Sequence, residues 1–87
     1  MTVMSYNAAP TVHLETLEGE RLGVSRVRHP SSGIQCLSFT GPEGRRVALV
    51  PSKAIMSVRQ RVWQVASTAG TYTLGPVDMA MLRKLAA

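Results

Sequence analysis

Apolar and polar residues alternate with a period of two through most of residues 11–50, and three turn signals cut that alternation into four runs. From Thr11 to Glu18, Val12, Leu14 and Thr16 point one way while His13, Glu15 and Leu17 point the other. Gly19-Glu20 reads as a tight turn of the Gly-X type. Arg21–Arg28 forms the second run, with Leu22 and Val24 on one face and Val27 out of phase. Gly23 is the natural place there for a bulge or a strong twist. His29-Pro30-Ser31-Ser32-Gly33 is a loop by composition. Ile34–Thr40 is apolar on both faces, which suggests a central strand. Gly41-Pro42-Glu43-Gly44 is the clearest turn, and Arg45–Val50 is the fourth run. Short connections between consecutive strands predict an antiparallel meander.

Past Pro51 the period changes. Ala54, Ile55, Val58, Val62, Val65, Ala66 and Ala69 make one stripe at helical spacing, with Ser52 as an N-cap and Gly70 as the closing glycine. This predicts a helix over residues 53–68, against the β-branched character of Val58, Val62 and Val65. Thr71–Leu74 is β-prone and short, either a brief strand or an extended linker. A second helix over residues 76–86 has Pro76 at its first position, Asp78 in the first turn and Arg83 and Lys84 in the last. Its apolar residues nearly encircle it, so it must be buried against the sheet or another subunit.

The expected fold is α+β: an antiparallel sheet of about four strands in residues 11–50, followed by one or two helices at about 53–68 and 76–86. Residues 1–10 read as a flexible arm and residues 11–87 as a single small domain. The strand order through Val47-Ala48-Leu49-Val50-Pro51 and on to Ile55 resembles small Sm-like or SH3-like barrels across residues 12–58. That resemblance implies an alternative architecture, a small β-barrel with a C-terminal helix, and no functional residues carry over from it.

Composition narrows the function. Of the 87 residues, 45% are apolar and 17% charged, which fits a globular domain with a weakly charged surface. No apolar run reaches the roughly 18 residues of a membrane span, and Met1–Pro10 has no basic residue. The lone Cys36 reads as a buried thiol in a reduced compartment, so a cytoplasmic protein is expected. The excess of Arg over Lys, with many Ala, Gly and Val, fits a GC-rich bacterial genome. Phosphate-loop, dinucleotide-binding and nucleophile-elbow patterns are absent, and two isolated His residues do not make a zinc site. The expectation is a non-enzymatic protein with no cofactor and no metal.

Charge carries the remaining information. Three acids and no Lys or Arg fall in residues 1–20, whereas residues 21–61 hold eight basic residues and only Glu43. This points to a small basic binding protein, nucleic-acid-binding or a regulatory accessory factor, because arginine forks bind phosphate oxygens. Arg26, Arg28, Arg45, Arg46, Arg59 and Arg61 are the candidate phosphate contacts. The alternative is a protein–protein adaptor or inhibitor acting on an acidic partner, with a homodimer through the C-terminal helix. Its candidate interface residues are Trp63, Val77, Met81 and Leu85. The four aromatics of the chain are too scattered for a base-stacking platform.

Overall fold

The computed structural model describes residues 11–67 and 70–87; the expected N-terminal arm lies outside them. The first sheet is built by three local turns. Thr16 donates its N–H to Glu20 O and accepts from the N–H groups of Gly19 and Glu20, so the β1–β2 turn closes on itself (Thr16 N–Glu20 O 2.8 Å). Gly19 sits at φ +86°, the left-handed position of this three-residue loop. The Gly41–Arg45 turn repeats the construction, with Gly41 N–H to Arg45 O at 2.8 Å. Between them, the His29–Ile34 loop is braced by the Arg28 guanidinium, which donates to Gly33 O at 2.9 Å.

These turns join β1 (Val12–Glu15), β2 (Arg21–Arg28), β3 (Gln35–Thr40) and β4 (Arg46–Pro51) into one antiparallel sheet in chain order. The four-stranded meander is as the alternation predicts, and β3 is central. Gly23 does not carry the bulge expected there: it stays in register between His13 and Thr40. The irregularity falls instead between β3 and β4, at Phe39/Thr40. Gly23 is nevertheless crowded, since a Cβ on it would lie 3.1 Å from Thr11 Cγ2.

The expected helix over 53–68 is not formed. One turn of helix, α1 (Ser52–Met56), ends at Ser57, and the chain re-enters extended structure as β5 (Trp63–Ser67). β5 pairs antiparallel with β6 (Gly70–Leu74), so the β-prone Thr71–Leu74 run is a strand. The β-branched residues decide the outcome: Val65 is buried in β5 facing Tyr72, whereas Val62 and Ala54 point to solvent. Ser52 is not the N-cap either. Pro51 holds that position, and the buried Ser52 hydroxyl accepts from Gln35 Nε2 at 3.3 Å. The last helix, α2 (Pro76–Ala86), begins and ends where the sequence places it.

The strands form a four-stranded and a two-stranded sheet, and among the described residues they do not close into the barrel of the alternative reading. One hydrophobic core lies between the sheets and helices. It joins Leu14, Leu22, Val24, Leu37 and Phe39 of the first sheet to Ile55 of α1, Val65, Tyr72 and Leu74 of the second sheet, and Met79, Leu82 and Ala86 of α2.

Candidate functional site

The antiparallel register converts position along the chain into position along the sheet. One end gathers the close of β1, the Thr16–Glu20 turn, the start of β2 and the Gly41–Arg45 turn. The start of α2 is tied to the same end. Leu17 N–H donates to Thr73 O at 2.8 Å, and a Cβ on Gly75 would lie 3.3 Å from Leu17 Cδ2. The Glu18 carboxylate accepts from Thr73 N–H at 2.9 Å and from the Thr73 hydroxyl. The opposite end gathers the close of β2, the His29–Ile34 loop, α1 and the last turn of α2. Gln35 Nε2 fixes that last element, donating to Ala86 O at 3.3 Å as well as to Ser52.

Charge follows this axis. All five Asp and Glu residues of the chain, Glu15, Glu18, Glu20, Glu43 and Asp78, lie at the turn end. The Thr73 hydroxyl, and then its N–H, hold the Glu18 carboxyl below its usual range. Burial pushes the Asp78 carboxyl up against the downward pull of the Gly75 backbone N–H, and the charge of Glu15 adds a smaller upward push. The far end carries six of the ten Lys and Arg residues and no Asp or Glu: Arg26 and Arg28 of β2, Lys53 of α1, Arg59 just beyond it, and Arg83 and Lys84 of α2. Arg83 is partly occupied, donating from Nη2 to Val58 O at 2.8 Å, which also holds the segment bearing Arg59. Arg26, Lys53, Arg59 and Lys84 are exposed.

Arg26 and Arg28 share a face, opposite Leu37 and Gln35. It is the face that buries Leu22 and Val24 earlier in the strand, so the core side of β2 changes from apolar to cationic where the core ends. The six arginines singled out from the sequence do not form one patch. Arg26 and Arg28 come together, with Arg59 at the same end. Arg61 lies further along the segment leading into β5. Arg45 and Arg46 lie at the acidic end, and Arg46 points to the outer sheet face, where its Nε donates to Ser38 Oγ at 3.0 Å. Lys53 and Lys84 join the cationic end although nothing local in the sequence links them to β2; the tertiary bonds of Gln35 do that.

Of the candidate interface residues, Trp63 and Leu85 are half-buried against the core, whereas Val77 is 79% and Met81 40% exposed. On the outer sheet face, a groove of about 460 Å³ runs past His13, Arg21, Gly23 and Thr40. Arg21 stands there directly opposite Glu15 across the strands, so the groove does not concentrate one sign of charge.

No helix among the described residues is long and apolar enough to cross a membrane, and among the same residues no group of three or more His, Cys, Asp or Glu is placed to hold a metal ion. No protein-family model, curated protein or solved structure matches the chain.

Proposed function

We propose that this is a small non-enzymatic binding protein for a polyanion, with nucleic acid as its ligand, and that the acid-free end of the sheet is the contact surface. The observation that carries the reading is the segregation of charge: six cationic side chains at one end, every Asp and Glu at the other. Opposite potentials at two ends orient an approaching polyanion and keep it off the acidic turns. Arg26 and Arg28, two residues apart on one face, stand roughly 7 Å apart along the strand. Exposed Lys53 and Arg59 extend the surface sideways. Backbone phosphates, not bases, are the target, because Phe39, Trp63 and Tyr72 all pack into or against the core. A cytoplasmic setting fits this reading, since Cys36 is a buried free thiol.

The test is a salt titration of affinity for random-sequence duplex DNA and RNA. About four phosphate contacts give a slope of log K against log salt near −4, an affinity loss on the order of 100-fold between 50 and 200 mM salt. Arg26→Ala/Arg28→Ala should flatten the slope by about two. Arg45→Ala/Arg46→Ala, at the acidic end, should leave it nearly unchanged. Absence of binding at 50 mM salt, or a slope carried by Arg45 and Arg46 instead, would overturn the proposal.

A further inference from the structure

The outward side of α2 presents exposed apolar residues that the proposed phosphate contacts, Arg26, Arg28, Lys53 and Arg59, do not use. Met79, Leu82 and Ala86 face the core, and the 3.6-residue period turns Val77, Ala80, Met81 and Lys84 outward, all exposed. Leu17, 64% exposed, continues this surface past the start of the helix, against Gly75. We propose that this face binds a second copy of the same chain, the two α2 helices lying antiparallel about a two-fold axis at Met81.

The charges of the helix select both the partner and the direction. α2 carries Asp78 in its first turn and Arg83 and Lys84 in its last. An antiparallel pair centred on Met81 sets Lys84 against the partner's Asp78 and Val77 against the partner's Leu85. Met81 then packs on its own copy, and the small Ala80 beside it lets the helix axes approach to about 8 Å. A parallel pair would set Asp78 against Asp78 and Lys84 against Lys84, like charges at both ends. The Asp78 carboxyl is already partly desolvated and feels the charge of Glu15, so an ammonium brought by a second chain has more to neutralise there than at an open surface. The arrangement is isologous, the commonest way for a small chain to complete its burial.

Sedimentation of the full chain over a concentration series should show a species of about twice 9.4 kDa. Met81→Asp should raise the dissociation constant at least about tenfold, with an unchanged circular dichroism spectrum showing that the fold persists. Lys84→Glu should weaken the dimer, and adding Asp78→Lys to the same chain should restore it. Register is read independently by oxidation. Met81→Cys lies on the axis and should form a disulfide-linked dimer. Val77→Cys should not, because its two copies lie roughly 12 Å apart along the helices. A chain that stays monomeric at millimolar concentration overturns the proposal, and so does a dimer in which Val77→Cys links as readily as Met81→Cys.

Discussion

Val62 and Val65 separate the two ways of folding the segment after Pro51. On one helical stripe they would be equally buried. In the structure Val65 is 3% exposed inside β5 and Val62 is 45% exposed just before it. Val65→Ala removes two methyl groups from the core, about 1.6 kcal/mol of transfer free energy at about 0.8 kcal/mol each. A residual void on the order of 30 Å³ adds about 0.7 kcal/mol, and the weaker strand preference of Ala a few tenths. The expected loss is about 2.5 kcal/mol, against no more than about 0.5 for Val62→Ala. With a urea slope of roughly 1 kcal/mol per molar for a chain this small, the midpoint should fall by about 2.5 M for Val65→Ala and by less than about 0.5 M for Val62→Ala, with the slope itself unchanged. Equal losses at the two positions, or a loss at Val65 below about 0.5 kcal/mol, would refute the strand assignment and the core drawn around it.

Gly19 sits at φ +86°, and a Cβ there would meet nothing within 4 Å, so Gly19→Ala should cost about 1 kcal/mol through the backbone alone, measured by urea unfolding. Glu18 tests linkage. Its folded pKa is lowered by Thr73, so its contribution is present above its unfolded value and is lost as the pH falls through the folded one. Glu18→Gln should therefore flatten the decline in stability below roughly pH 4. Asp78, raised in the fold, has the opposite sign: what it contributes is present in acid and fades as the pH rises through its folded value. An unchanged acid limb in the Glu18→Gln melting curves would show that the Thr73 contacts do not persist in solution.

The first sheet was legible because its information is local. Gly19, Gly33 and Gly44 supply the positive φ that the three turns need, and the alternation of Val12, Leu14, Leu22 and Val24 fixes which face is buried. Pro76 and the charges of α2 mark that helix equally well. The segment after Pro51 was not legible because two periods overlap in it. Ile55, Val58, Val62 and Val65 satisfy helical spacing, while Trp63 and Val65 also alternate as in a strand. Gly70, which opens β6 at φ +132°, occupies the place where a helix-closing glycine would stand. Only pairing with Tyr72 and Leu74 resolves the ambiguity, and that pairing depends on the core already offered by the first sheet.

The candidate surface was half legible for a related reason. The block of positive charge between Arg21 and Arg61 is real, but a meander sends alternate strands to opposite ends, so a contiguous block is divided by folding. Arg45 and Arg46 leave it; Lys84 joins it from the far end of the sequence. The position of Arg26 and Arg28 also has a purely structural explanation. Among the described residues, β1 pairs with only the first half of β2, Arg21–Val24, and charged side chains keep such an edge from joining another sheet. Edge protection needs charge of either sign and makes no demand on where the acids go. A chain carrying Arg26→Glu and Arg28→Glu would serve it as well. Nor does edge protection account for Lys53 and Arg59 on neighbouring elements, or for the gathering of all five Asp and Glu side chains around the opposite turns. A polyanion ligand accounts for all of these together, and the salt slope of the Arg26→Ala/Arg28→Ala chain separates the two demands, because loss of edge protection changes aggregation and not the number of counterions released.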